Sequence, residues 1–170
     1  MIGRPQLSEA APYYFTYIDQ VEGENPLEEI ENQLEQISPW LSRISEEKSF
    51  DRYAPEKWSI RQVLNHVTDT ERAFAFRALW FARGFDQALP SYDQEVAAIG
   101  AQADWVAWNA HVEEFQRVRQ ATISLFRNLP PDAWMRTGIA SGNRFTVRAL
   151  AFIIPGHVAH HVKVLRERYL

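Results

Sequence analysis

Four long segments of this chain repeat apolar residues every three or four positions, which is the spacing of one face of an α-helix. The segments cover residues 26–45, 60–83, 105–129 and 147–170. A helix with one apolar face must bury that face against another element, and the sequence contains almost no convincing strand. The pattern therefore predicts an all-α fold in which the helices pack on one another as a four-helix bundle.

Short polar side chains mark the start of each predicted helix. Ser59 is followed three positions later by Gln62, which is the pattern of a capping box. Asn25, Asp104 and Thr146 are also residue types whose side chains accept hydrogen bonds from the first turn of a helix. We therefore expect the helices to begin directly after these residues.

The third and fourth predicted helices each carry a further feature. Trp105, Trp108 and Phe115 belong to the apolar face of the third helix, and we expect them to lie in the core rather than to line a pocket. Pro155 lies inside the fourth helix, where it removes one backbone hydrogen bond. We therefore expect a kink just before His157.

The chain has 170 residues, a length that suits a single domain, 1–170, with its own core. No repeat or linker divides it, and we separate only an N-terminal arm, residues 1–24, from the helical bundle, residues 25–170. The chain has no cysteine, which excludes disulfides, thiolate metal sites and a cysteine nucleophile. This composition fits a reducing compartment.

Charge and hydropathy limit the expected partners. The 18 basic and 22 acidic residues give a net charge of -4, the wrong sign for a general binder of nucleic acid. No run of apolar residues is long enough to cross a membrane, and the first residues lack the apolar stretch of a secretory signal. We therefore expect a cytoplasmic protein that binds neither nucleic acid nor membrane.

Two histidines near the C-terminus lie one helical turn apart. His157 and His161 are separated by four positions, so their side chains project from the same face of the last predicted helix. Imidazole nitrogens at this spacing can bind one metal ion. His160 competes with His161, but the apolar residues of the helix cluster on the side of His161. We expect His161 to point into the bundle and His160 to lie at its edge, where it orients a ligand or faces solvent.

A third ligand must come from another helix, because two ligands rarely hold an ion. His66 lies at the edge of the apolar face of the second predicted helix. His111 on the third helix is its rival, although the surroundings of His111 also suit a histidine that makes one hydrogen bond at the edge of the core. Periodicity alone leaves both residues open and favours His66 slightly.

Two motifs carry a family resemblance. They read EKWSIRQVLNHVTDTER at residues 56–72 and GHVAHH at residues 156–161. In order and separation they resemble the DinB superfamily, which includes the YfiT-like proteins, over about residues 27–170. The resemblance implies that His66, His157 and His161 form a three-histidine metal site. It also implies an up-down-down-up bundle that is often dimeric.

The same resemblance implies a chemistry. Some members are thiol-dependent transferases or isomerases that use a low-molecular-weight thiol, and others are described as metal-dependent hydrolases. We therefore expect one divalent metal ion, a small-molecule substrate and a homodimer. Nitrogen ligands with an open position favour zinc or nickel. The alternative is a non-catalytic, dimerising bundle that the same ion stabilises.

Several other side chains are candidates for roles around the site. Thr70 and Arg77 follow the histidine of the second helix along the same side, and Arg77 could meet an anionic substrate, although an arginine near a helix end is often solvated. Tyr92, in the connection that follows, is a candidate to line the pocket. Glu71 and Arg119 fall on apolar faces, and we expect them to pair in the core because buried charges require partners.

Overall fold

The computed structural model describes residues 2–170, so Met1 of the predicted arm lies outside the described residues. These residues form helices joined by turns, with one small β-hairpin. The helices are α1 (Phe15–Ile18), α2 (Pro26–Leu41), α3 (Ile60–Ala82), α4 (Gln94–Ala101), α5 (Trp108–Arg127) and α6 (Val147–Arg168), and the strands are β1 (Thr137–Ala140) and β2 (Asn143–Thr146).

Helices α2, α3, α5 and α6 form the four-helix bundle that the apolar periodicity predicted. Helix α3 packs on both α5 and α6, and α2 packs on the same two helices from the other side. The pairs that are consecutive along the chain, α2 with α3 and α5 with α6, therefore occupy opposite corners. This arrangement brings α3 directly against α6, and these helices carry the histidines of the predicted site.

The predicted caps are confirmed at three helices. Asn25 Oδ1 accepts a hydrogen bond from a backbone N–H in the first turn of α2 at 3.2 Å. Thr146 Oγ1 accepts the corresponding bond at the start of α6 at 2.9 Å. Ser59 and Gln62 form the predicted capping box, since each side chain accepts a hydrogen bond from the backbone N–H of the other residue. These caps fix where three of the four bundle helices begin.

Two connections differ from the expected pattern. Helix α2 ends at Leu41 rather than near Ser45, because the residues that follow form the tighter hydrogen bonds of 3₁₀ turns. The long connection after α3 contains the short helix α4, which the sequence did not predict. Asp93 caps α4 by accepting hydrogen bonds from two backbone N–H groups. A helix this short has too few turns to show a clear apolar periodicity.

The predicted start of the third bundle helix is wrong by one turn. Helix α5 begins at Trp108, and Asp104 instead accepts a hydrogen bond from Ser59 Oγ at 2.7 Å. Both carboxylate oxygens of Asp104 bind distant side chains, those of Ser59 and Arg52, and neither caps the helix that follows. Trp105 therefore lies outside α5 and is 88% exposed, which contradicts its expected place in the core. Trp108 and Phe115 are buried as predicted.

A β-hairpin forms between α5 and α6, where the sequence shows no convincing strand. Strands β1 and β2 pair in antiparallel fashion through a two-residue turn, in which Ser141 and Gly142 have φ angles of 53° and 71°. Positive φ at both positions matches the twist of a tight hairpin. Leu89, from the connection before α4, extends the hairpin by hydrogen bonding to Ile139 and Ser141.

The core fills the bundle along its length. Nearly every residue in the first half of α6, from Val147 to Val158, is buried, because the N-terminal arm covers the side of α6 that the other bundle helices leave open. The helix remains continuous through Pro155, whose carbonyl accepts a hydrogen bond from Gln33 Nε2 at 2.9 Å. Among residues 2–170, no helix has the length and apolar content needed to cross a membrane.

Glu71 of α3 and Arg119 of α5 pair in the core, as the sequence predicted. Glu71 Oε2 lies 3.0 Å from Arg119 Nε, and the two side chains are 2% and 0% exposed. Burial raises the pKa of Glu71, and the neighbouring guanidinium opposes that rise. Arg119 Nη2 also donates to Gln33 Oε1 at 3.0 Å. The pair therefore connects α2, α3 and α5 through buried polar contacts.

The N-terminal arm packs on α6. It consists of two 3₁₀ turns, Leu7–Glu9 and Pro12–Tyr14, followed by α1. Glu9 forms a buried salt bridge with Arg148, and its carboxylate accepts a hydrogen bond from Thr146 Oγ1 at 2.8 Å. These contacts hold the arm at the start of α6 and direct α1 towards the middle of that helix.

The arm approaches the backbone of α6 closely at Gly156. A Cβ atom at this position would lie 2.1 Å from the backbone carbonyl oxygen of Tyr17, so one of the two backbones would have to move. We expect Gly156→Ala to destabilise the fold by about 1–3 kcal/mol, measured by thermal unfolding.

The control is Gly100→Ala in α4, where nothing lies within 4 Å of the added atom. Alanine is the better helix residue there and should be neutral or stabilising by up to about 1 kcal/mol. Equal unfolding temperatures for the Gly156 and Gly100 variants would contradict the close contact between α6 and the arm.

Candidate metal centre

Three histidines from two helices converge in the bundle. His66 of α3 and His157 and His161 of α6 each offer a ring nitrogen, and these nitrogens all lie within 4.8 Å of one another. The Nε2 atom of His157 lies 3.2 Å from that of His66 and 3.1 Å from that of His161. The structure thus brings together the three residues that the sequence selected.

The spacing of these nitrogens suits a common metal ion. Imidazole nitrogens bind zinc at about 2.0–2.1 Å, and tetrahedral geometry then separates two ligands by about 3.3 Å. The two Nε2 separations, 3.2 and 3.1 Å, are close to this value. Among residues 2–170, the clustered group contains only histidines and no carboxylate. A set of three nitrogen donors fits a divalent transition metal.

Burial keeps the three imidazoles in the form that binds metal. His66 and His157 are each 5% exposed. Burial lowers the pKa of His66 to about 4 and the pKa of His161 to about 3, and it holds the pKa of His157 well below its usual range. The neighbouring imidazoles lower the pKa of His157 and His161 further. At neutral pH all three rings are therefore neutral, and each has a lone pair available.

Neighbouring side chains fix the orientation of the rings. Thr70 Oγ1 lies 3.3 Å from His66 Nδ1, one turn along α3. The ring of Trp58 packs on His66 at 4.9 Å between centroids, and the ring of Tyr17 packs edge-on against His157 at 5.2 Å. A hydrogen bond at the far nitrogen and packing on the ring face both limit rotation, so the Nε2 atoms stay directed at one another.

The two competing histidines lie outside the cluster. His160 is partly exposed, and its ring packs against His161 and Tyr17 with centroids 5.0 and 5.6 Å away. This position at the edge agrees with the helical phase of His160. His111 is buried, and its Nε2 lies 2.9 Å from the carbonyl oxygen of Ala103. His111 therefore lies at the edge of the core and makes one hydrogen bond, which is the alternative that the sequence analysis gave for this residue.

Sequence comparison identifies the family. The sequence profile of the DinB superfamily matches residues 29–165, which is most of the chain. The chain belongs to the DinB superfamily. The matched region runs from α2 to α6 and contains all three clustered histidines, whereas the N-terminal arm precedes it. The resemblance inferred from the two motifs is therefore confirmed.

A solved structure shows the same fold as this DinB-superfamily protein. It is that of YfiT from Bacillus subtilis, described as a probable metal-dependent hydrolase with an unusual four-helix bundle topology. The alignment covers 95% of this chain and 91% of YfiT, with a TM-score of 0.65 and 18% sequence identity. A search of curated proteins found no match. At this identity the likeness to YfiT establishes the shared fold.

A small cavity lies beside the histidine cluster of this DinB-superfamily protein. This inner cavity has a volume of about 120 Å³, with His66 and His157 at one end and Arg77 and Ser141 in the same wall. Thr70 and Tyr92 also line it, so the structure places three sequence candidates, Thr70, Arg77 and Tyr92, around one space. His161 instead faces a separate cleft of about 460 Å³.

Part of the cavity wall was not foreseen from the sequence. Tyr13, Tyr14 and Tyr17 of the arm line the inner cavity, and Ser141 of the hairpin turn completes it. The hydroxyl groups of Tyr13 and Tyr17 lie 2.9 Å apart and form a hydrogen bond. The dense run of aromatic residues in the arm was the available signal. Trp80 of α3 stacks on Phe85 and does not line the inner cavity.

Proposed function

We propose that this protein is a metal-dependent enzyme whose divalent ion, zinc or nickel, is held by His66, His157 and His161. One observation carries the proposal: the Nε2 atoms of His66 and His161 lie 3.2 and 3.1 Å from that of His157, and the three neutral imidazoles converge beside a cavity. Without an ion, these buried nitrogens have mostly one another as partners. An ion satisfies all three at once.

Three protein ligands leave a coordination position open, as in catalytic rather than closed structural sites. When bound, the ion supplies a Lewis acid that polarises a substrate oxygen or lowers the pKa of a coordinated water or thiol. The protein residues position and enclose the reacting groups. Thr70 orients His66, while Tyr13 and Tyr17 of the arm cover the inner cavity and limit access of bulk water.

Two reaction classes fit this site, and different observations support them. Hydrolysis of a small molecule is supported by the description of YfiT as a probable metal-dependent hydrolase. Transfer of a low-molecular-weight thiol is favoured for a substrate in the inner cavity, since no Asp or Glu of residues 2–170 lines that cavity, whereas Glu56 and Glu95 line the separate cleft that His161 faces. Hydrolysis normally uses a general base near the attacking water, whereas a thiol whose pKa the ion would lower can lose its proton to solvent without one.

An activity panel tests the proposal. Protein purified without nickel resin is assayed with and without added zinc or nickel, against simple esters and amides and against electrophiles with a small thiol. Metal-dependent turnover that is lost in His157→Ala supports an enzyme and identifies its class. Stoichiometric metal binding without turnover of either panel would favour the alternative, a non-catalytic bundle that the ion stabilises. Light scattering on the same samples tests the expected homodimer.

Metal binding should also stabilise the fold. A ligand that binds only the folded state at 100 times its Kd contributes about 2.7 kcal/mol, which for a domain of this size raises the Tm by roughly 5–10 °C. We expect zinc to raise the Tm of EDTA-treated protein by this amount. The His66→Ala variant should show no rise, and an equal rise in both proteins would place the bound zinc somewhere else.

A further inference from the structure

Arg77 is a buried cation without an acidic partner. The residue is 6% exposed, and its Nη2 donates to Ser141 Oγ at 2.9 Å. Its guanidinium carbon lies 5.5 Å from the ring centroid of Phe74, so an aromatic face covers one side. Within the described part of the chain, no carboxylate lies within ion-pair distance of Arg77. A buried charge normally requires a partner of opposite sign.

Other buried arginines of this protein follow that rule. Arg61 pairs with Glu46 at 2.6 Å and Arg119 pairs with Glu71 at 3.0 Å, and the partly buried Arg148 pairs with Glu9. Arg77 differs from them because its unmatched charge lies at the wall of a cavity. The missing counter-charge can therefore come from a bound molecule.

The hairpin turn holds Ser141 in place against Arg77. Ser141 has a φ angle of 53°, a conformation that is uncommon for residues other than glycine. Its backbone N–H donates to the carbonyl of Leu89 at 3.1 Å, and its own carbonyl accepts from Asn143 Nδ2 at 2.9 Å. The tight hairpin turn imposes this conformation. The Ser141 hydroxyl thus fixes one edge of the guanidinium.

Arg77 lies where two spaces meet. The inner cavity contains the histidines, and an outer cleft of about 510 Å³ runs along α3. Arg77, Ala73 and Tyr92 line both spaces. The outer cleft has mainly apolar walls, which include Phe76 and Leu89. A molecule bound at Arg77 can therefore extend into an apolar cleft on one side and towards the histidines on the other.

We propose that Arg77 binds the carboxylate of a small substrate whose apolar or aromatic portion occupies the outer cleft. The planar guanidinium fork matches the two oxygens of a carboxylate. A phosphate dianion would leave one charge uncompensated, because Arg77 is the only cationic side chain that lines the inner cavity among residues 2–170, and Arg72 of the outer cleft is already paired with Asp69 and Glu114. The orientation of the reactive group towards the histidines rests on the proposed metal-dependent function, whereas carboxylate binding does not.

Calorimetric titration of EDTA-treated protein with benzoate tests this site. Benzamide has the same shape without the charge, and phenyl phosphate carries the other common anion. The variants are Arg77→Met, which removes the cation, and Arg77→Lys, which keeps the charge but loses the fork. Arg117→Met is the control, since Arg117 is an exposed cation paired with Glu113.

We expect benzoate to bind wild-type protein and the Arg117→Met variant equally, and to bind Arg77→Met roughly 10- to 100-fold more weakly, the range for a lost charge-assisted hydrogen bond. The affinity of Arg77→Lys for benzoate should fall between those of wild-type protein and Arg77→Met. Benzamide should bind wild-type protein as weakly as benzoate binds Arg77→Met. The comparison of benzoate with benzamide uses wild-type protein, so it tests the proposal even if Arg77→Met does not fold.

Three outcomes would overturn the proposal: no benzoate binding, equal benzoate and benzamide affinity, or unchanged benzoate affinity in folded Arg77→Met. Tighter binding of phenyl phosphate than of benzoate would overturn the choice of carboxylate. Because the protein is free of metal, failure here differs from failure of the proposed metal site, which the Tm rise with zinc tests separately.

Discussion

Replacing His157 with alanine will weaken metal binding by more than about 100-fold, since even the loss of residues that only orient ligands costs roughly 10–100-fold. His157 lies between the other two histidines, with its Nε2 3.2 and 3.1 Å from theirs, so its loss leaves two nitrogens from different helices. His66→Ala and His161→Ala should have similar effects. Elemental analysis after equilibrium dialysis against buffered zinc measures the change.

His160→Ala and His111→Ala are the matched controls for this prediction. His160 lies one position from a proposed ligand but at the edge of the cluster, and His111 bonds to the carbonyl of Ala103. Both variants should retain most of the bound metal. Equal losses of bound metal in His160→Ala and His161→Ala would show that the helical phase of α6 does not determine which histidines are ligands.

Removing the acid of the buried ion pair will strongly destabilise the bundle. Glu71→Ala leaves the guanidinium of Arg119 buried at 0% exposure without its counter-charge. Breaking a buried pair in this way costs about 3–5 kcal/mol, which corresponds to a fall in Tm of roughly 10 °C. Chemical denaturation with urea measures the loss in the free energy of unfolding.

An exposed ion pair provides the control for Glu71→Ala. Glu31 and Arg127 lie 2.6 Å apart with side chains 36% and 63% exposed, so Glu31→Ala should cost less than about 1 kcal/mol. A double variant, Glu71→Leu with Arg119→Met, removes both buried charges and should recover much of the lost stability. If Glu71→Ala lowers the free energy of unfolding no more than Glu31→Ala does, the buried ion pair does not stabilise the bundle.

The bundle could be predicted because its helices carry their own signals. Asn25, Ser59 and Thr146 cap the helices at the predicted residues, and these caps involve bonds within a few positions of the chain. The predicted start of α5 was wrong because Asp104, whose residue type suits a helix cap, instead bonds to Ser59, 45 positions away. Tertiary contacts of this kind leave no periodic pattern in the sequence.

The difference between local sequence signals and tertiary contacts also applies to the candidate metal site. The convergence of His66, His157 and His161 follows from helical phase together with the family resemblance, and the geometry agrees with it. The remaining wall depends on segments whose positions are set by packing. Tyr17 reaches the site because Gly156 lets the arm approach α6, and Ser141 reaches Arg77 because a tight hairpin forms. Neither contact could be read from local sequence.

X-ray absorption at the edge of the bound metal, on protein purified without nickel resin, tests the central claim most directly. The account predicts about one ion per chain, with imidazole nitrogens at about 2.0–2.1 Å and the multiple-scattering signature of three histidine rings. A folded protein that binds no ion at micromolar zinc or nickel, or a spectrum with oxygen ligands and no imidazole scattering, would contradict it.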